Sequence, residues 1–248
     1  MRKNILITGA SSGLGAGMAR QFAAMGRNLA LCARRTERLD ELKAEIAKAH
    51  PDVKVSVRAL DVSNYDQVFE VFRAFRDEFG TLDRVIVNAG IGKGASLGTG
   101  YFKANRQTAE TNFVAALAQF EAATEIFRTQ NAGHLVAIAS VAAIRGLPRA
   151  QTVYAASKAA LASLAEGLRV DLLKTPIKVT TIYPGYIETE INAKVKNRPF
   201  LVDTETGVRS MVKAIEKEVE GAFTPAWPWA LMAFVMRRLP TSALARFG

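Results

Sequence analysis

The sequence predicts a doubly wound α/β domain built on a parallel sheet, on three observations. Short apolar runs alternate with helix-patterned segments at least six times along the chain. The runs are near-continuous Val/Ile/Leu/Ala, as strands covered by helices on both faces must be. Each run is followed at once by glycine or a polar side chain, and in such a sheet ligands bind beyond the carboxyl ends of the strands.

Length and composition fit one domain. The chain has 248 residues, 49% of them hydrophobic, enough for a full core, and no Pro/Gly/Ser linker or block of like charge divides it. The single Cys32 lies inside an apolar run, so no intrachain disulfide or cysteine-rich metal site can form; a buried packing role in a reducing compartment is expected. His50 and His134 are the only histidines and are far apart, which leaves little material for a zinc site or a Ser-His-Asp triad. No metal is expected. The net charge of +10 would suit nucleic acid, an anionic membrane or a phosphorylated ligand. Its Lys and Arg are scattered and no aromatic-basic RNA-binding pattern occurs, so nucleic acid is not expected as a partner. The apolar run after Met1-Arg-Lys is too short for a signal-peptide core, and no stretch reaches the ~18–20 apolar residues of a spanning helix. A cytoplasmic protein is expected.

Taken in order, residues 4–8 read as a buried strand, followed by Gly9-Ala-Ser-Ser-Gly13-Leu14-Gly15 and a helix carried by Met18, Phe22 and Met25 to a stop at Gly26. Residues 28–33 form the second strand. After Arg34-Arg35, Thr36 is expected to cap a helix with Leu39, Leu42 and Ile46 on one face, ended by Pro51. A third strand, 53–60, ends at Asp61, and residues 63–79 are helical through Val68, Phe72, Phe75 and Phe79. The fourth strand, 82–87, ends at Asn88-Ala89-Gly90. A long helix over 107–130 leads to the fifth strand, 134–140, bounded by Gly133 and closed by Ser140. A helix over 152–173 leads to the sixth strand, 177–183, ending at Pro184-Gly185, and 221–227 is the candidate seventh.

The residues after each strand are therefore expected to converge. Glycines at 9, 13 and 15 allow a tight turn, close approach of backbone to a pyrophosphate, and close helix–strand packing. The helix that follows turns its free amides and positive end toward the phosphates. The spacing differs from the commoner G-x-G-x-x-G, and by itself it is also compatible with an ordinary glycine turn. Where NAD-binding folds present an acid to the ribose, this chain has Arg34-Arg35. An arginine can grip a 2′-phosphate that a carboxylate would repel, which predicts NADP(H) over NAD; the alternative is a solvated charge pair at a helix start. Asp61-Val62 is placed to meet the adenine, unless Asp61 only caps the next helix. Asn88-Ala89-Gly90 is placed to line the adenine-ribose side and steady the sheet.

Tyr154 and Lys158 lie one helical turn apart on one face. A phenol is a poor base near neutrality, with an ordinary pKa of about 10, but a nearby cation favours the phenolate. A serine hydroxyl from Ser140 aimed at the same point could hold a substrate oxygen. Alone, the pair could equally be a half-buried Tyr and a snorkelling Lys.

The ordered set Thr8-Gly9-x-x-x-Gly13-x-Gly15, Asp61-Val62, Asn88-Ala89-Gly90, Asn112, Ser140, Tyr154-x-x-x-Lys158 and Pro184-Gly185-x-Ile187-x-Thr189 resembles the short-chain dehydrogenase/reductase superfamily over nearly the whole chain. The resemblance implies a single Rossmann-like domain that binds a nicotinamide dinucleotide, with the glycine loop, including Ser11, Ser12 and Leu14, around the phosphates. It implies that Ser140 holds the substrate oxygen and Tyr154 exchanges the proton. Lys158 would lower the Tyr154 pKa and bind the nicotinamide ribose, and Asn112 would anchor a water relaying protons to Lys158. Pro184, Gly185, Ile187 and Thr189 would hold the nicotinamide end, and the Arg34-Arg35 pattern is similar to NADP-preferring members.

The substrate is expected to be a small apolar carbonyl or secondary alcohol, because residues 141–148 bring small and apolar side chains beside Ser140. Residues 186–204 are the expected substrate lid. The tail, 225–248, carries a Trp-rich apolar stretch ending in Arg237-Arg238, which reads as a helix packed in the core or against a second subunit of a homo-oligomer, or else at a lipid surface. The competing class is a non-catalytic NADP-binding scaffold or sensor with a membrane-associating tail.

Overall fold

The computed structural model describes residues 2–190 and 198–245. Seven strands form one parallel sheet in the order β3-β2-β1-β4-β5-β6-β7. They are β1 (Asn4–Thr8), β2 (Asn28–Ala33), β3 (Val55–Ala59), β4 (Arg84–Val87), β5 (His134–Ile138), β6 (Lys178–Pro184) and β7 (Gly221–Thr224). Strand order reverses between β1, which continues toward β2, and β4, which continues toward β5. The carboxyl ends of β1 and β4 therefore flank the natural ligand crevice.

The helices cover both faces. They are α1 (Gly13–Ala24), α2 (Thr36–Ala49), α3 (Tyr65–Phe79), α4 (Phe102–Ala109), α5 (Ala115–Gln130), α6 (Gln151–Asp171), α7 (Thr204–Glu216), α8 (Ala226–Met236) and α9 (Thr241–Leu244). Side chains alternate across each strand, so one apolar run feeds two cores. Leu6, Cys32, Val85, Val87 and Leu135 meet Phe72, Phe75, Phe127 and Leu161 on one face. Ile5, Ile7, Leu31, Ile86 and Val136 meet Met18, Phe22, Leu39 and Met211 on the other. Phe22, Phe72, Phe75 and Phe127 are fully buried, each worth about 1.5–3 kcal/mol of transfer free energy. Cys32 packs in the core as expected, its thiol pushed up by burial.

β1 and β2 span the expected residues, whereas β3, β4 and β5 are shorter than the apolar runs suggest, because pairing ends before burial does. The long helix expected over 107–130 starts earlier, at Phe102, and is broken by a π-turn at Glu110–Val114. Thr36 does not cap α2; the helix starts at Thr36 and Arg35 holds the capping position without a side-chain bond. Asn64, not Asp61, caps α3 by accepting from Gln67 N. Asp61 instead forms a tight turn, accepting from the amide and hydroxyl of Ser63.

Helix α7 is an addition to the sequence reading. Asp203 caps it, accepting from Thr206 N at 2.7 Å, and Val208, Met211, Val212 and Ile215 form its buried face. A β-carbon on Gly17 of α1 would fall 2.8 Å from Val208 Cγ2, so α1 carries glycine where α7 crosses it. The seventh strand is shorter than expected, ending at Thr224, and α8 begins two residues later. Of the expected lid, residues 191–197 lie outside the described residues. Its ends are pinned where Ile187 pairs with Val202 and Thr204 donates to Glu188 O.

Candidate active site

The glycine loop is built at the carboxyl end of β1 by contacts that exclude side chains. Gly9 (φ +64°) and Gly13 (φ +52°) take left-handed backbone. A β-carbon on Gly9 would fall 2.9 Å from Ala89 Cα, and one on Gly15 would fall 2.4 Å from Gly9 O. Thr8 and Asn88 lock this loop to β4. Asn88 Nδ2 donates to Thr8 O (2.9 Å) and Gly9 O (3.3 Å), and the amides of Asn88 and Ala89 both donate to Thr8 Oγ1. Asn88 thus steadies the crevice wall rather than presenting its amide to it. Ser12 precedes α1 but makes no capping bond, which leaves the first-turn amides of α1 for an anion. Backbone donors around a side-chain-free loop fit the pyrophosphate of a dinucleotide.

The two arginines after β2 part company. Arg34 lies 4.0 Å from Asp61 Oδ2, on the side expected for adenosine. Burial raises the Asp61 carboxyl, but the Ser63 hydrogen bonds and the Arg34 charge outweigh it and hold the group below its ordinary range. Val62 beside it is buried. Arg35 turns to the glycine loop, donating to Ser11 Oγ (3.3 Å) and Ser12 Oγ (2.5 Å). It shares the carboxylate of Glu190 with Arg38, at 3.1 and 2.6 Å, and Ser12 Oγ donates to the same carboxylate at 3.2 Å. The Arg38 bond, opposed by burial and assisted by Arg35 and Ser12, holds Glu190 below the usual carboxylate range. Arg38 and Glu190 were not singled out from sequence. Arg38 could have been, since it lies three residues past Arg35 and shares its side.

At the carboxyl end of β5, Ser140 starts a short 3₁₀ turn at Val141–Ile144 by accepting from Ala142 N at 3.1 Å. Its side chain also lies near enough to the Tyr154 phenol to favour the phenolate. Burial pushes the Tyr154 hydroxyl up, Ser140 pulls it down, and the neighbouring Tyr186 pushes it up again; the net shift is upward. Burial, Ser140 and Tyr186 are the influences on the phenol; Lys158 beside it is 5% exposed, its Nζ donates to Ile138 O at 2.8 Å, and burial lowers its own pKa to about 8.

Asn112 sits in the π-turn before α5, 1% exposed. Its Oδ1 accepts from Ile91 N (2.8 Å), and its Nδ2 donates to Ile91 O (2.9 Å) and Ser157 Oγ (3.2 Å). Two of these bonds cross to the chain after β4 and the third to α6. A β-carbon on Gly90 would lie 3.1 Å from Asn112 Oδ1 and 3.4 Å from Lys158 Nζ, so Gly90 is the point at which all three elements meet.

Pro184 ends β6, and Gly185 accepts the ring of Trp229 from α8. Trp229 is 4% exposed, packs edge-on against Tyr186 and Phe200, and its Nε1 has no partner among the described residues. Trp229 thus takes the core-packing alternative for the tail and joins an aromatic wall with Tyr186 and Phe200, a seat the tryptophan-rich pattern did not specify. The Ile187 side chain is buried against Gly207 beneath α7, so only its backbone can face a ligand, while Thr189 packs over Gly13. All the expected site residues gather at one end of the sheet.

The model of the short chain dehydrogenase family matches residues 3–199. Together with a single seven-stranded parallel sheet of this order, that match makes the chain a member of the short-chain dehydrogenase/reductase superfamily. An uncharacterized oxidoreductase of Mycobacterium tuberculosis is 54% identical over 247 residues, covering 100% of this chain and 98% of that one. Among solved structures, a short-chain dehydrogenase/reductase from Burkholderia phymatum in complex with NAD matches at TM-score 0.84 and 25% identity, covering 95% of this chain and 92% of that chain. The NADPH-dependent 3-quinuclidinone reductase of Rhodotorula rubra matches at TM-score 0.80 and 25% identity, covering 90% and 89%. The chain is thus an oxidoreductase of a family whose structures hold NAD in one case and are NADPH-dependent in another.

Proposed function

We propose that the protein is an NADP(H)-dependent oxidoreductase that interconverts an apolar carbonyl and its secondary alcohol. The observation that carries this reading is the approach of the Ser140 side chain to the buried Tyr154 phenol, with the buried Lys158 amine one helical turn further on. The nicotinamide cofactor, when bound, supplies or accepts a hydride. This chain's own residues do the rest. Ser140 and Tyr154 donate hydrogen bonds to the carbonyl oxygen, where negative charge develops, and Tyr154 gives up its proton to that oxygen. A phenol held above its ordinary pKa is protonated near neutrality, which suits it to act as an acid. Lys158, Gly90 and Asn112 form the floor that fixes Tyr154 and receives the ribose.

Preference for NADP(H) rests on Arg34 and Arg35 standing where an acid would select NAD, with Arg38 joining Arg35. The aromatic wall of Tyr186, Phe200 and Trp229 favours a flat or cyclic apolar substrate. The intact Ser140/Tyr154/Lys158 set argues against a non-catalytic scaffold.

Exposed Leu117 on α5, with Val170 and Leu173 at the end of α6, supports self-association. Trp227, Leu231 and Phe234 leave an apolar strip on α8 beside Arg237 and Arg238, suited to a second subunit or to peripheral contact with lipid. No helix among the described residues is long and apolar enough to cross a membrane; a cytoplasmic protein is proposed. The test is NADPH oxidation across cyclic ketones, ketosteroids, quinones, 3-ketoacyl thioesters and sugars. Turnover confined to apolar carbonyls is expected, and no turnover with any of them would reject the reading.

A further inference from the structure

The carboxylate of Glu190 is held by three side chains, two of which, Arg35 and Ser12, stand in the segments expected to hold the cofactor's phosphates. Arg38 donates to one oxygen at 2.6 Å, while Arg35 and Ser12 donate to the other at 3.1 and 3.2 Å. Two guanidinium groups and a hydroxyl converging on one anion beside the first turn of α1 make a grip for an oxyanion of tetrahedral or planar shape. Glu190 reaches that grip from the far side of the crevice. Its strand, β6, lies three strands from β1 in the sheet, and the segment from Ile187 to Glu190 passes over the glycine loop, with Thr189 Cγ2 placed 3.5 Å from where a Gly13 β-carbon would be. The near end of this segment is fixed by the pairing of Ile187 with Val202 and of Glu188 N with Val202 O.

We propose that Glu190 is a built-in competitor for the cofactor's 2′-phosphate: it ties the segment after β6 to Arg35, Arg38 and Ser12, and a ligand carrying that phosphate takes over the same donors and releases it. The inference rests on the NADP(H) reading above. All three ion-pairing side chains are about half exposed, so each pair is weak and readily exchanged. A phosphate monoester brings up to two negative charges and three acceptor oxygens against one charge and two oxygens on the glutamate. The glutamate's advantage is its tether, which keeps it at a local concentration in the millimolar range. NADH, with no 2′-phosphate, gains nothing from displacing it. Glu190 therefore sets the margin by which the chain discriminates between the two coenzymes.

The experiment titrates the full-length wild type, Glu190→Gln and Glu190→Ala with NADPH, NADH and 2′,5′-ADP, following binding by calorimetry and fold by thermal melting. Both variants are expected to bind NADPH and 2′,5′-ADP roughly three- to tenfold more tightly, with NADH within twofold of wild type. Unchanged or weaker NADPH binding in folded variants overturns the proposal. Equal tightening of NADPH and NADH also overturns it, since Glu190 would then cover the pyrophosphate cradle instead. A wild type that binds NADPH while the variants match it sinks this inference alone. A wild type with no preference for NADPH sinks the coenzyme reading, and the inference with it.

Discussion

Trp229 rests on Gly185: a β-carbon at residue 185 would fall 1.9 Å from the indole Nε1. The glycine that ends β6 is therefore fixed by a side chain from 44 positions further along, and the tail is part of the active-site wall.

Gly185→Ala should push Trp229 out of its seat and disturb Tyr186 and Phe200 with it. Overpacking of this kind costs about 1–3 kcal/mol. A lowered melting temperature and a shifted tryptophan emission spectrum are the expected readouts; an unchanged spectrum would place the indole elsewhere.

Asn112 ties the π-turn to both backbone groups of Ile91. Asn112→Ala leaves those groups buried without partners, at roughly 1–3 kcal/mol. Stability should fall by that amount in denaturant unfolding. Turnover should fall further than cofactor affinity, because the floor beneath Lys158 loosens.

Replacing Arg34 and Arg35 together by Ala should weaken NADPH roughly tenfold or more and leave NADH nearly unaffected. Arg38→Ala should act in the same direction, because it grips the same carboxylate as Arg35. Equal losses for both coenzymes in a binding titration would remove the phosphate-grip argument.

At the amino-terminal end of β5, away from the crevice, His134 is fully buried. Its Nδ1 accepts from Arg84 Nε at 2.9 Å, and its Nε2 faces Thr180 Oγ1. Burial first, then the charges of Arg84 and Arg2, hold its pKa well below the ordinary 6.5. The folded state therefore binds fewer protons than the unfolded chain below about pH 6.5. The stability it contributes is complete above that pH and is lost as pH falls toward the lowered folded value. Unfolding midpoints between pH 7.5 and 5 should decline in wild type and decline less in His134→Asn.

Six strands, the glycine loop and the Ser140/Tyr154/Lys158 set were legible because each is a local pattern: an apolar run, a turn, or two residues one helical turn apart. Helix α7 carries an equally local signal, Asp203 followed by Val208, Met211, Val212 and Ile215, and went unassigned beside the expected lid. The partners of Arg35, the Trp229 seat on Gly185 and the Asn112–Ile91 pair were not legible. Each joins segments whose adjacency is decided by the sheet order, and nothing in either segment alone specifies its partner. The upward shift of Tyr154 was hidden for the same reason, since burial and Tyr186, not the Lys158 spacing, set its direction.

The central claim is that the Tyr154 hydroxyl supplies the proton. The direct measurement is the single-turnover rate of NADPH oxidation by Tyr154→Phe against wild type with one reducible ketone, with NADPH affinity measured in parallel. A rate reduced by about a hundredfold or more at unchanged affinity is the predicted result; a variant that turns over at the wild-type rate would contradict it.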